Sequence, residues 1–205
     1  PLPDSLAGTR VRVDVDLPFR KAVQRHHSAT HILHWALRAV LGTHVQQAGS
    51  HVGPDRLRFD FSHYEAISPR EIEEIERLCQ EKILENDPVA WYEVPFTEKP
   101  DDVMAFFGEK YGDVVRVVDI GGWSRELCGG THVNGTGELG MVKVVSESAI
   151  SAGTRRIEAV CGEAAFDLVK ERFAVVQQMA AEFSAKPGEI PARLRDLQER
   201  LAAAE

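Results

Sequence analysis

No run of apolar residues in this sequence reaches the about 20 residues that a membrane-spanning helix needs. Cysteine is also scarce, since Cys79, Cys128 and Cys161 are too few and too scattered for a disulfide scaffold. This usage fits a reducing compartment, so we expect a cytoplasmic protein. The Gly-x4-Gly-Lys-Ser/Thr loop that binds nucleotide phosphates is absent, and so is the Gly-x-Ser-x-Gly elbow of serine hydrolases. The sequence therefore gives no support to nucleotide-driven or serine-hydrolase chemistry.

The sequence does contain enough apolar residues for a folded core. Its 205 residues are 43% hydrophobic, which excludes wholesale disorder and fits one domain with a tail or two small domains. It opens on Pro1 without a methionine and ends at Leu201–Glu205 inside a helix-like pattern. We expect a piece of a longer protein.

Charge is unevenly distributed along the chain. The net charge is −8, but residues 1–64 hold eight Lys and Arg against five Asp and Glu, a balance of +3. Residues 65–113 hold five against fourteen, or −9, so most of the acidity lies in one segment. A local basic face near the start could still meet a phosphate backbone, although charge alone favours solvated surface residues without a partner.

The first third of the chain has patterns of both secondary structures. Thr9–Leu17 alternates apolar and polar residues, which predicts a half-buried strand. From His26 to Leu41 the apolar residues follow a helical period that ends at Gly42, and Leu57–Phe61 alternates again as a strand. Ser68 and Glu71 form a predicted capping box that starts a second amphipathic helix, which ends near Pro88.

The remainder has three β-rich runs and a helical tail. Val114–Ile120, Met141–Val145 and Thr154–Val160 are predicted strands of a common sheet, so the fold class is α+β, with a mostly antiparallel sheet and helices packed on it. After Gly162 the apolar spacing predicts a helical hairpin or coiled-coil segment, broken at Pro187-Gly188. We expect a strand-rich lead-in over 1–20 from a preceding domain, a zinc-containing domain over 21–162 and a helical connector over 163–205.

Two pairs of metal-ligand residues stand one hundred residues apart. His27 and His31 lie four apart on the first predicted helix, which places both side chains on one face. Cys128 and His132 lie four apart in a loop with two glycines, and imidazole nitrogen and thiolate sulfur are preferred ligands of Zn²⁺. Either pair alone is usually surface decoration, but together they predict a zinc site.

The kind of zinc chemistry stays open at this point. Ser28, Ala29 and Thr30 separate the two helical histidines, so the glutamate of the His-Glu-x-x-His protease motif is missing. The residues by themselves indicate a zinc-binding α+β domain whose site is either structural or hydrolytic.

Six blocks of sequence then carry a resemblance that covers roughly residues 9–162. They are RHHSATHILH (25–34), QAGS (47–50), LRFDFSH (57–63), FGEKYGD (107–113), ELCGGTHV (126–133) and GTRRIEA (153–159). In this order the blocks resemble the editing domain of alanyl-tRNA synthetases and the related free-standing editing proteins. The resemblance implies zinc-dependent hydrolysis of alanine tRNA mischarged with serine or glycine, in cis with the remaining domains of the synthetase and without a membrane partner.

The resemblance also assigns roles to single residues. It implies four zinc ligands, namely His27, His31, Cys128 and His132. Thr30 matches a threonine that senses the serine hydroxyl, although its hydroxyl could instead bond back to the helix backbone. Gln47 matches an active-site glutamine that would place substrate or water, where the alternative is a polar loop residue.

Arg155 matches an arginine linked to the tRNA end. Arg58 could act similarly, but a cross-strand surface charge is the preferred interpretation there. His34 is expected beside the site or on the surface rather than as a ligand. His51 and the segment Glu98–Asp102 depart from the family pattern, which predicts local loop differences.

Three further questions stay open. Four protein ligands leave zinc no vacant position, so we favour zinc that holds the site and orients the aminoacyl end, with zinc-bound hydroxide as the other option. The competing functions are a free-standing trans-editing deacylase and a non-catalytic tRNA-binding module with structural zinc. The C-terminal helices could also pair two chains.

Overall fold

The computed structural model describes residues 8–105 and 111–204, which divide after Gly162 into two compact units. The described residues of the first unit form two α-helices and seven strands, and the α-helices are α1 (Leu17–Leu41) and α2 (Pro69–Glu85). The strands are β1 (Gln47–Val52), β2 (Leu57–Ser62), β3 (Val89–Pro95), β4 (Val114–Ile120), β5 (Ser124–Leu127), β6 (Val142–Ser151) and β7 (Thr154–Cys161). The α+β fold class predicted from the sequence is confirmed.

The seven strands form two antiparallel sheets rather than one. The larger sheet has the order β1-β2-β7-β6, and the smaller has the order β3-β4-β5. The prediction of a common sheet for the runs at 114–120, 141–145 and 154–160 was therefore wrong, because β4 pairs with β3 and β5 whereas β6 and β7 pair with each other. Alternating apolar residues identify a strand but not its partner.

Helix α1 lies at the centre of the first unit. It packs against α2 and against strands of both sheets, and most of its residues from His26 to Leu37 are buried. The core beneath it is built from aliphatic side chains and from Phe59 and Phe61 of β2, which are fully buried. Because one helix supports both sheets, its polar residues are brought against β1 and the end of β5.

The capping prediction for α2 is confirmed. The Ser68 hydroxyl accepts a hydrogen bond from the Glu71 amide, and the Glu71 carboxylate accepts one from the Ser68 amide. The helix ends at Asn86, which has a left-handed backbone conformation. Both ends of α2 therefore follow from local sequence signals.

The prediction of a half-buried strand over Thr9–Leu17 was wrong. Described residues of this segment form no strand, and Val13 and Val15 are 78% and 51% exposed. Asp16 instead caps α1 by accepting a hydrogen bond from the Phe19 amide, so the helix starts nine residues before His26. Alternation predicts a strand only if another strand pairs with it, and the described residues supply no such partner.

The second unit is helical. It contains α3 (Gly162–Glu182), a short 3₁₀ helix at Pro187–Glu189 and α4 (Ile190–Ala202), so the predicted break at Pro187-Gly188 is confirmed. Large apolar side chains on both helices are exposed, among them Phe173 at 61% and Leu201 at 63%. Pairing of two chains through these helices stays a prediction.

Among the described residues, no helix is both long and apolar enough to span a membrane. The block FGEKYGD at 107–113 lies partly outside the described residues, because residues 106–110 are not described.

Candidate metal centre

Four side chains from α1 and from the loop after β5 converge in the first unit. His27 and His31 come from α1, while Cys128 and His132 come from the loop, and one donor atom of each lies within 4.8 Å of the others. The Cys128 sulfur is 3.3 Å from Nε2 of His27 and 3.4 Å from Nε2 of His132. The structure therefore brings together the four residues that the sequence predicted as zinc ligands.

Gly130 lets the loop approach the helix closely. A Cβ atom built on Gly130 would overlap the ring of His27, whereas one on Gly129 would meet nothing within 4 Å. The Gly130 carbonyl accepts a hydrogen bond from the guanidinium of Arg116 on β4, and the Cys128 amide donates to the Arg116 carbonyl at 3.1 Å. One strand residue thus holds both sides of the tight turn.

Ser28 fastens the second half of the loop to α1. Its hydroxyl oxygen lies 3.1 Å from Nδ1 of His132 and accepts a hydrogen bond from the Val133 amide at 3.2 Å. Since Nδ1 of His132 is engaged in this way, Nε2 faces the Cys128 sulfur. A partner on the distal nitrogen of a histidine ligand fixes the orientation of the ring.

A buried carboxylate fixes the ring orientation of His31. Glu126 of β5 is 2% exposed, and one of its oxygens lies 2.9 Å from Nδ1 of His31. The bond leaves Nε2 of His31 as the nitrogen available to a metal ion. Glu126 and Ser28 were not assigned roles from the sequence. The only sequence signal for Glu126 was its position two residues before Cys128, which places both side chains on the same face of a strand.

The electrostatics of the cluster favour a thiolate. Burial acts to raise the pKa of the Cys128 thiol, but hydrogen bonds from His132 and His27 outweigh it and lower this pKa to about 3. Burial lowers the pKa of His132 to about 4, so this ring is neutral at pH 7. Burial also opposes protonation of His31, but the charges of Glu126 and Cys128 outweigh it and raise that pKa to about 10. Metal binding would displace the His31 proton.

The donor set fits zinc. Three imidazole nitrogens and one thiolate sulfur are borderline-soft ligands, and four of them complete a tetrahedral site. The distal partners Glu126 and Ser28 supply the outer hydrogen bonds that histidine ligands require. The residues therefore could hold a metal ion, and zinc is the ion that this donor set prefers.

A cavity of about 180 Å³, called here the metal-side cavity, opens beside the four donors. Its wall is formed by donors and by further polar residues: His27, Thr30, His31, Gln47, Ser50, Glu126, Leu127, Cys128 and Gly129. Thr30 and Gln47, the two residues predicted to act on substrate, thus line the same cavity as the ligands.

Thr30 and Gln47 reach this cavity in different ways. Thr30 is 5% exposed, and its hydroxyl donates a hydrogen bond of 2.8 Å to the His26 carbonyl, which is the alternative contact considered for it. Gln47 starts β1 next to a break in register between Gln47 and Gly49. Irregular pairing of this kind redirects a side chain away from the regular alternation.

The two arginines predicted to bind tRNA lie on the larger sheet and do not line the metal-side cavity. The Arg155 guanidinium on β7 is paired with the Glu147 carboxylate at 2.7 Å. Arg58 on β2 has Nε 3.7 Å from an oxygen of Asp60. A role in RNA binding stays a prediction for both, and His34 lies buried beside Glu126 as expected of a residue near the site.

Comparisons with known proteins show that this chain is similar in sequence to parts of tRNA synthetases. Residues 115–158, which include β5 and the Cys128–His132 loop, match the family described as the threonyl and alanyl tRNA synthetase second additional domain. The chain is 53% identical over 190 residues to an alanine–tRNA ligase of Opitutus terrae, covering 93% of the chain and 20% of that relative. It is 51% identical over 191 residues to the ligase of Geobacillus kaustophilus, covering 93% of the chain and 22% of the relative.

A third alanine–tRNA ligase, from Bacillus subtilis, is 49% identical over 199 residues, which cover 97% of the chain and 23% of that relative. The chain thus spans about a fifth of the length of the curated relatives that it matches. Alanine–tRNA ligases contain a region homologous to nearly the whole of it.

Proposed function

We propose that this chain hydrolyses the ester that joins serine or glycine to alanine-specific tRNA, as the proofreading part of an alanine–tRNA ligase. The observation that supports this proposal most directly is the cluster of four donors beside a cavity lined by Thr30 and Gln47. Its context is a chain similar to alanine–tRNA ligases over more than nine-tenths of its length.

A second hydrolytic site answers a physical limit on amino-acid selection. A pocket that accepts alanine cannot strongly reject the smaller glycine, nor an analogue that adds only a hydroxyl. Serine is larger than alanine, so a sieve based on size alone would not separate them. The editing site must therefore recognise the serine hydroxyl itself.

Thr30 is suited to that recognition. Because its own proton is donated to the His26 carbonyl, the Thr30 oxygen presents lone pairs that can accept a hydrogen bond from the serine hydroxyl. Alanine carries no hydroxyl and cannot make this bond. The backbone contact that anchors Thr30 thus also orients it as an acceptor.

Zinc bound by His27, His31, Cys128 and His132 would hold the site together and orient the aminoacyl end. Gln47, half-buried in the same cavity wall, offers an amide that both donates and accepts hydrogen bonds, so it can hold a water molecule against the ester. The cavity would then hold the water molecule and the ester carbonyl close to each other.

Binding of the tRNA would require more than this chain alone. The net charge is −8, which is unfavourable for a phosphate backbone, and Arg155 is already paired with Glu147. We propose that the other domains of the ligase contribute most of the tRNA contacts in cis, and that Arg155 and Arg58 contribute locally.

A second candidate function is a tRNA-binding module with structural zinc. It is favoured by one observation: the four protein donors complete a tetrahedral set, which is the pattern of closed structural sites. In that case Thr30 and Gln47 would be ordinary polar residues of the wall.

Deacylation of seryl-, glycyl- and alanyl-tRNA for alanine by wild-type protein and by Cys128→Ala separates the two functions, with zinc content measured on both. Thr30→Val replaces the hydroxyl by a methyl group and tests whether Thr30 recognises the serine hydroxyl. Ser50→Ala removes another hydroxyl from the same wall and is its matched control. Release of serine and glycine but not alanine, abolished in Cys128→Ala, is the expected result. One equivalent of bound zinc without release of either amino acid would instead favour the binding module.

A further inference from the structure

One buried carboxylate contacts two imidazoles on successive turns of α1. The Glu126 oxygens lie 2.9 Å from Nδ1 of His31 and 3.0 Å from Nδ1 of His34, and all three side chains are at most 6% exposed. At these distances each carboxylate oxygen can accept a hydrogen bond from the ring nitrogen opposite it. Glu126 is therefore an acceptor toward both rings.

An acceptor at both Nδ1 atoms fixes the same tautomer in the two rings. A ring that carries one proton then holds it on Nδ1 and has a lone pair on Nε2; for His31 this is the metal-bound form, in which the metal has displaced the second proton. In His31 that lone pair belongs to the donor cluster. In His34 it is left over, because His34 is not one of the four clustered residues.

The Nε2 atom of His34 is buried, and none of the residues that the structure describes offers it a hydrogen bond. A buried polar atom without a partner costs roughly 1–3 kcal/mol, so such atoms are rare and often functional. A core position against Phe59, whose ring centroid is 5.1 Å away, would accept an apolar side chain without this cost.

His34 also forms part of the wall of a second cavity of about 190 Å³, called here the helix-side cavity. Gln47 lines both this cavity and the metal-side cavity, so the residue proposed to hold the water borders both. The charged groups around His34 are Glu126 from β5 and, one turn further along α1, Arg38 in the same cavity wall. The Arg38 guanidinium is engaged by the carbonyls of Thr43 and Val45.

We propose that His34 is the general base of the hydrolysis, an inference that rests on the proposed function. The water oxygen bonds to the ester carbonyl carbon while one water proton passes to Nε2 of His34. The tetrahedral intermediate then breaks its bond to the ribose oxygen, which takes that proton back from His34. The products are the free amino acid and a tRNA with a free terminal hydroxyl, and Glu126 stabilises the transient positive charge on His34 throughout.

Two variants of His34 separate catalysis from folding. His34→Asn keeps an amide that can donate to Glu126 but has no group in the position of Nε2, so zinc content and thermal stability should stay at wild-type levels. Deacylation of seryl-tRNA should fall about 10²–10⁴-fold, which is the usual contribution of a general base. His34→Ala leaves space in the helix-side cavity, so added imidazole should restore part of the activity in proportion to its concentration. His51→Ala, which removes an exposed histidine from β1, is the matched control and should neither lose activity nor respond to imidazole.

An independent measurement reads the tautomer without any turnover. Nitrogen-15 spectra of histidine-labelled, zinc-loaded protein should show His34 protonated on Nδ1 and unprotonated on Nε2, and Glu126→Gln should disturb this pattern.

Three results would overturn the proposal. They are a proton on Nε2 of His34 in the wild-type protein, deacylation by His34→Asn within about fivefold of wild type, or a loss of activity that accompanies loss of zinc and that imidazole does not restore. If the wild-type protein releases no serine, the proposed function itself fails. If wild type is active while His34→Asn is equally active, only the assignment of His34 fails.

Discussion

The two glycines of the loop after β5 provide a stringent test of the metal centre. Gly129→Ala and Gly130→Ala make the same chemical change at adjacent positions, and neither glycine has a left-handed backbone conformation. A methyl group on Gly129 points into open space, whereas on Gly130 it overlaps the His27 ring, with Nε2 of that ring only 3.2 Å away. The overlap is relieved only if His27 or the loop moves out of the donor cluster.

The size of the effect follows from the cost of overpacking. Extra carbon atoms in a packed site cost about 1–3 kcal/mol, and each 1.4 kcal/mol is tenfold in an equilibrium constant. Gly130→Ala should therefore weaken zinc binding about 5- to 150-fold, while Gly129→Ala should stay within about twofold of wild type. Competition for zinc against a chelating indicator measures both, with circular dichroism as a check on folding. Equal zinc affinities in the two variants would refute the close approach of Gly130 to His27.

Three more substitutions test other parts of the first unit. Glu126→Gln cannot accept hydrogen bonds from both His31 and His34, so zinc affinity should fall about 10- to 100-fold. The exposed Glu93→Gln should leave it unchanged, and equal values would contradict the role of Glu126. Ser68→Ala removes the cap of α2 and should lower the free energy of unfolding by about 1 kcal/mol in urea titrations; no change would argue against the capping box. Burial raises the pKa of the Cys79 thiol from its ordinary value of 9.0 to about 12, so the unfolded thiol ionises first. The contribution of Cys79 to the free energy of unfolding should therefore be constant below about pH 9 and decline between pH 9 and 12. Cys79→Val should make that decline smaller. If the free energy of unfolding falls equally with pH in both proteins, the raised pKa of Cys79 is contradicted.

The sequence predicted the elements whose signals are local. The capping box of Ser68 and Glu71, the break at Pro187-Gly188 and the strand at Leu57–Phe61 each depend on neighbouring residues, and the structure contains all three. The segment Thr9–Leu17 failed because a strand needs a partner, and none is present among the described residues. The grouping of β4 with β6 and β7 failed for the same reason, since pairing depends on contacts between residues far apart in the chain.

The candidate site divides in a similar way. The four residues of the donor cluster are of the types that zinc prefers and stand at helical and loop spacing, so their clustering was predictable as a group. Glu126 was not, because a carboxylate on an alternating strand is normally exposed, and its burial depends on α1 bringing His31 and His34 over the end of β5. Thr30 lines the metal-side cavity, where the sequence predicted it to act, but the direction of its hydroxyl toward His26 follows only from the folded helix.

The fastening of the loop by Ser28 and Arg116 has a consequence for how the centre exchanges its ion. Several hydrogen bonds hold the loop without any help from a metal, among them the Val133 amide to Ser28, the Cys128 amide to the Arg116 carbonyl, and the Arg116 guanidinium to Gly130. Emptying the site should therefore leave the loop docked on α1, unlike small zinc domains that unfold when chelated. The protein would then release and rebind its ion at a preformed site. The rate of exchange would be set by access through the metal-side cavity rather than by unfolding of the chain.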